Sequence, residues 1–110
     1  MFQGNANEDR FERTFAFIDL SGFTRFTDNE GDKAALGEII KFRLFVREIA
    51  SSKGLRIAKW LGDGAMLVAV EPEIATEAIM EMQGRMEALD EKLGLRAGLA
   101  SGPVLMVDGE

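Results

Sequence analysis

The stretch from Thr14 to Thr24, TFAFIDLSGFT, constrains this chain most. Its apolar run Phe15-Ala16-Phe17-Ile18 is long enough for a buried strand and too short for a helix. One carboxylate, Asp19, stands at the end of that run, and Ser21-Gly22 then breaks it. A carboxylate on a buried strand is costly unless it is paired or coordinated. Asp19 therefore needs a partner elsewhere in the chain.

The spacing downstream predicts the frame in which that partner lies. Strand 1 is expected over Thr14–Leu20, followed by a short segment from Phe23 to Glu30. Asn29-Glu30-Gly31-Asp32 reads as a turn, with Asp32 as N-cap of a helix running to about Ser52. Ala35, Leu36, Ile39, Phe42, Val46 and Ile49 give that helix a core-facing stripe. Gly54 suits its left-handed C-cap. Strand 2 is expected over Leu55–Leu61, Gly62-Asp63-Gly64 as a hairpin turn, and strand 3 over Ala65–Val70 in the sheet's centre. Pro72 opens a second long helix, with a stripe of Ala75, Ala78, Ile79, Met82, Met86, Leu89 and Leu93, ended by Gly94. Strand 4 is expected over Leu95–Ala100, with Ser101-Gly102-Pro103 turning into a last strand, Val104–Val107. Residues 1–13 read as a polar tail, and 14–110 as one domain.

Without the short segment after Gly22, the order is βαββαβ. The expected class is α+β, a ferredoxin-like core with an antiparallel sheet packed against helices. In that plan strands 1 and 3 are adjacent and antiparallel, so the end of strand 1 meets the start of strand 3. Asp19 and Asp63 are thereby brought together.

Composition narrows the chemistry. The chain has 110 residues, a net charge of −6, no Cys and no His. The acidic balance argues against a nucleic-acid backbone as partner. The absence of Cys and His removes thiolate and imidazole ligands, leaving carboxylates, hydroxyls, Lys, Arg and backbone around a hard cation. Absence of Cys fits a reducing compartment, and a cytoplasmic location is expected. No stretch reaches the ~20 apolar residues of a membrane span, and the start, MFQGNANEDRFER, lacks a signal peptide's apolar core.

Two carboxylates held together repel unless a cation lies between them. Mg²⁺ takes one or two carboxylates and completes its shell with water and substrate phosphates. Ser21, Gly22, Phe23 and Thr24 offer backbone N–H groups at a helix start, where anions are favoured. Lys59, which breaks the apolar alternation of strand 2, and Arg96 in strand 4 are the cations best placed to join them. Each group also has a plainer role open to it. Asp19 could cap a helix or pair with an arginine, Asp63 could serve only the hairpin, and Lys59 and Arg96 could be solvated edge charges. Trp60 fits a core or interface position better than a base-stacking one.

Three segments together resemble the class III nucleotidyl cyclases, the adenylate and guanylate cyclase catalytic domains. They are FAFIDLSGFTRFT at Phe15–Thr27, KWLGDGAM at Lys59–Met66 and LRAGLASGPV at Leu95–Val104, in the family's order and spacing. The resemblance implies a C-terminally truncated cyclase fold, the front part of a cyclase domain. It implies that Asp19 and Asp63 bind two Mg²⁺ or Mn²⁺ ions, with the Leu20 carbonyl as a further ligand. Ser21–Thr24 would hold the polyphosphate, with Arg96 near it. Lys59 stands at the purine-selecting position, where Lys is typical of adenylate cyclases and Glu of guanylate cyclases. The implied reaction turns ATP into 3′,5′-cyclic AMP and pyrophosphate by two-metal catalysis. The implied assembly is a head-to-tail homodimer, so Asp19 and Lys59 of one molecule would serve different sites.

The base-recognising residue, the Asn and the Arg that the family carries further on have no counterpart that can be assigned here. Losing a transition-state Arg can cost on the order of 10³ or more in comparable enzymes, so the 110-residue chain alone is expected to be inactive or nearly so. The alternatives are a non-catalytic relative that senses nucleotide or dimerises in signalling, and a ferredoxin-like domain with a purely structural hairpin.

Overall fold

The computed structural model describes residues 10–89 and 93–105. Its elements in chain order are β1 (Arg10–Ser21), α1 (Phe23–Glu30), α2 (Asp32–Lys53), β2 (Arg56–Trp60), β3 (Gly64–Ala69), α3 (Pro72–Ala88) and β4 (Gly94–Leu105). The four strands form one antiparallel sheet in the order β2-β3-β1-β4. This is the α+β ferredoxin-like arrangement that the sequence predicts, with β1 and β3 side by side.

The sheet buries one face. Ala16, Ile18 and Leu20 of β1 and Ala65, Leu67 and Ala69 of β3 point into the core. They meet Phe42, Val46 and Ile49 of α2 and Ala75, Ala78 and Met82 of α3. The alternate residues of β1, including Phe15, Phe17 and Asp19, lie on the opposite, uncovered face. There Phe17 keeps 45% of its surface exposed. Strand periodicity thus puts Asp19 on the open face while its neighbours Ile18 and Leu20 anchor the strand.

The structure corrects several expected boundaries. β1 starts at Arg10, not Thr14. The N-cap of α2 is Gly31, not Asp32, which is the first helical residue and makes no capping bond. Leu36 and Leu89 are exposed, because their positions turn just past the core-facing stripes. α3 ends at Ala88 with Leu89 as C-cap, and Gly94 opens β4 rather than closing the helix.

The largest correction concerns Ser101-Gly102-Pro103. These residues do not turn; they continue a single strand to Leu105, pairing with Thr14, Arg13 and Glu12. β4 is the sheet's edge, and an edge strand tolerates a proline because one side of its backbone needs no partner. Val107, the end of the expected last strand, lies outside the described residues. Among those described, no helix is long and apolar enough to cross a membrane.

Candidate active site

The site grows from the β1–β3 junction. Asp19 pairs with Gly64 in the ladder, and the Leu20 N–H donates to the Asp63 carbonyl at 2.9 Å. Leu61 and Gly64 exchange two backbone hydrogen bonds, of 2.8 and 3.2 Å, which closes the hairpin around Gly62 and Asp63. Gly62 has φ +66, the left-handed conformation such a tight connection favours. The carboxylate-bearing hairpin is therefore fixed by backbone on both sides.

Gly64 is the residue that sequence reasoning missed. A Cβ there would lie 2.5 Å from the Ile18 carbonyl oxygen and 3.0 Å from the Asp19 Cβ. Only glycine lets β3 come this close to Asp19. The signal in the sequence was the second glycine of Gly-Asp-Gly, which reads equally well as turn chemistry.

β4 brings Arg96 to the other side of Asp19. The two residues pair directly across the strands. Arg96 Nε donates to Asp19 Oδ1 and Nη2 to Oδ2, both at 3.1 Å. This is a bidentate fork, the strongest arginine–carboxylate geometry. The hydrogen bond to Asp19 holds the Arg96 guanidinium above its ordinary pKa, with the charges of Asp19 and then Asp63 adding to the effect. Of the plainer roles open to Asp19, pairing with an arginine is the one the structure contains.

Asp19, Asp63 and Arg96 line one open cleft of about 310 Å³, with Phe17, Leu61 and Gly64 among its walls. That is near the small end of ligand sites, about 300–1,000 Å³. The Asp63 carboxylate makes no hydrogen bond or ion pair to another described residue. No group of three or more acidic, His or Cys side chains is placed to hold a metal ion by itself among the described residues. The donor set facing the cleft is thus two carboxylates with backbone nearby. That set fits a magnesium-like ion, which keeps several waters and binds substrate phosphates, and not a cation caged by protein alone.

Ser21–Thr24 lie at the start of α1, two residues beyond Asp19. Gly22 is the N-cap in the left-handed conformation, φ 82°, and its carbonyl accepts from the Phe26 N–H at 3.0 Å. The first N–H groups of a helix have no partner within it. Strand, turn and helix start thus follow in the order the sequence predicts.

Lys59 lies apart from this group. A bulge between Ile57 and Lys59 leaves Ala58 unpaired, so Lys59 pairs with Met66. Ile57 pairs with the buried Leu67. The bulge therefore moves Lys59 to the open face, away from the side of Ile57. Lys59 is absent from the cleft's walls, on β2, two strands from β1. Next to it, Trp60 packs against the core and carries the guanidinium groups of Arg43 and Arg47 of α2 at 5.0 and 5.3 Å from its ring centre.

Comparison with known proteins bears on the fold that carries this site. No family model matches the chain. It is 32% identical over 94 residues to an uncharacterised protein of Mycobacterium tuberculosis, covering 86% of this chain and 25% of that one. It is 30% identical over 107 residues to an adenylate cyclase of Streptomyces coelicolor, covering 94% of this chain and 28% of that one. The chain thus spans about a quarter of the length of the curated relatives it matches. Among solved structures, the adenylyl cyclase CyaB of P. aeruginosa superposes with a TM-score of 0.77 at 22% identity, over 86% of this chain and 57% of that one. A guanylyl cyclase domain from the fungus Blastocladiella emersonii gives 0.77 at 25% identity, over 86% and 60%. A bacterial light-regulated adenylyl cyclase gives 0.80 at 18% identity, over 87% and 32%. The chain thus has the fold of the class III adenylyl and guanylyl cyclase catalytic domains, and its sequence is similar to part of an adenylate cyclase.

Proposed function

We propose that this chain is the metal- and phosphate-holding part of a nucleotidyl cyclase that converts ATP to 3′,5′-cyclic AMP and pyrophosphate. The observation that carries the reading is the convergence of Asp19 and Asp63 in one cleft at the β1–β3 junction. The family kinship supports the reaction class. Asp19 and Asp63, with the Leu20 carbonyl, would hold Mg²⁺ or Mn²⁺. When bound, such ions lower the pKa of the attacking hydroxyl and neutralise charge on the leaving phosphate oxygens.

The chain's own groups do the rest. The backbone from Ser21 to Thr24 offers N–H donors to phosphate oxygens, and Arg96 offers a planar fork to the same group. Held in line, the ribose 3′-oxygen forms a bond to the α-phosphorus while the bond to pyrophosphate breaks, and the hydroxyl proton is lost to solvent. Lys59 is assigned to reading adenine. It stands on the open face of β2 and outside the cleft that Asp19 lines, which suits a role in a neighbouring site rather than its own. A second copy is the proposed partner, and the uncovered apolar face of the sheet, with Phe11 and Phe17 41% and 45% exposed, supports it.

The test is a Mn²⁺ titration of the chain and its Asp63→Ala variant, with cyclic AMP and cyclic GMP measured from a protein in which this chain is completed to a whole cyclase domain. Binding is expected to weaken at least tenfold in the variant, and cyclic AMP to be the main product. Equal binding in both proteins would return the hairpin to a structural role. Cyclic GMP as the main product would sink the assignment of Lys59.

A further inference from the structure

Asp19 and Asp63 face the same cleft in different states. Both oxygens of Asp19 accept from the Arg96 fork at 3.1 Å, while Asp63 makes no ion pair with a described residue. A guanidinium in that position uses a lone pair on each Asp19 oxygen. It also puts a full positive charge beside the place a divalent cation needs, where the repulsion is twice that between single charges. The Arg96 side chain is 71% exposed and sits on the edge strand. Ala97 and Gly98, its neighbours on β4, offer no bulk to hold it in place.

We infer that Arg96 is a latch on Asp19, competing with the divalent cation for that carboxylate and released when a polyphosphate gives the fork a better partner. A phosphate group presents the same bidentate acceptor geometry as a carboxylate with more charge. Departure of Arg96 to the phosphate frees the Asp19 lone pairs and removes the repulsion in one movement. Metal and polyphosphate then assist one another's binding, and the assistance is reciprocal by linkage. The latch rests on the proposed role of Asp19 and Asp63 as the metal pair, but that pair does not require the latch.

The experiment is Mn²⁺ alone, titrated into the intact chain and followed by the electron paramagnetic resonance signal of the free ion. Parent, Arg96→Gln, Arg96→Lys and Asp63→Asn are compared, with circular dichroism confirming that each is folded. Arg96→Gln is expected to bind Mn²⁺ about three- to tenfold more tightly than the parent, with Arg96→Lys between them. The gap should narrow in high salt, because an exposed pair is screened. Equal affinity in parent and Arg96→Gln, with Asp63→Asn weakened, overturns the latch and leaves the metal pair standing. No binding in parent or in Arg96→Gln overturns both.

Discussion

β3 and β4 both pair with β1, and each delivers one group to Asp19, yet they are built in opposite ways. β3 is six residues long, lies inside the sheet, and buries Gly64, Ala65, Leu67 and Ala69. β4 is twelve residues long and forms the edge, and its residues from Arg96 to Ala100 are all exposed. On the β3 side, Asp63 is positioned by backbone hydrogen bonds and a buried glycine. On the β4 side, Arg96 reaches Asp19 through a long, solvated side chain. One half of the site is fixed by packing and the other hangs on one exposed side chain. On the proposed reading, a site that holds cations and then a charged ligand would gain from that division, since the carboxylates would stay placed while the arginine changed partners.

The sharpest way to break the contrast is a matched truncation. Leu67→Ala removes a side chain with no exposed surface from β3 and is expected to cost about 2–5 kcal/mol in urea unfolding. Leu99→Ala, on the 45% exposed β4 position, is expected to stay within about 0.5 kcal/mol of the parent. Comparable losses from the two would mean that β4 is packed as firmly as β3.

Next in size is Gly64→Ala. The added Cβ meets backbone, the Ile18 carbonyl oxygen, rather than a side chain that could swing aside. The ladder must shift, at an expected cost of about 1–3 kcal/mol. Because the second contact is Asp19 itself, Mn²⁺ binding should weaken as well. An unchanged melting temperature together with unchanged Mn²⁺ affinity would show that the close approach has no role in placing Asp19.

This unevenness also explains which parts of the structure the sequence revealed. The Phe15–Ile18 run, the Gly-Asp-Gly hairpin and the two helical stripes are local signals of apolar pattern and turn chemistry, and they located β1, β3 and the two long helices. The βαββαβ order then placed Asp19 beside Asp63 without any knowledge of side chains. β4 was misread because Ser101-Gly102-Pro103 carries every local mark of a turn, and only its place at the sheet edge makes it a strand. The Asp19–Arg96 fork was not legible for a related reason. Arg96 was a candidate cation, but pairing it with Asp19 needs the β1–β4 register, which strand order alone does not supply. Likewise, Gly64 announces a turn, and its closeness to Asp19 emerges only when β1 is laid against β3.

A smaller effect is expected where β4 is tied to buried structure. Thr14 is 1% exposed and shares a 2.9 Å hydroxyl hydrogen bond with Ser101 across the β1–β4 pair. Thr14→Val keeps the shape and removes the bond, at an expected cost of about 0.5–1.5 kcal/mol. Hydrogen exchange would localise the loss. Faster exchange at Ser101 and its β4 neighbours, with β3 unchanged, is the expected pattern, whereas equal acceleration in both strands would erase the distinction between them.

The least disturbance is expected from Arg96→Gln, although it removes a two-bond ion pair. The pair is exposed on both sides, and such pairs contribute little to stability in water. Its pH behaviour follows from the direction of the shift. The guanidinium is held above its ordinary value, mainly by its hydrogen bond to Asp19. A raised value gives a contribution that is complete below the unfolded-state pKa and lost only as pH climbs through the folded-state one. For an arginine that window lies in strong alkali, so the small stability difference between parent and variant should be flat from pH 6 to pH 9. A steep slope in that range would mean that some other group titrates against Arg96. A large loss of stability at neutral pH would mean that the fork clamps β4 to the sheet, and an arginine needed to hold a strand could not also be free to leave Asp19.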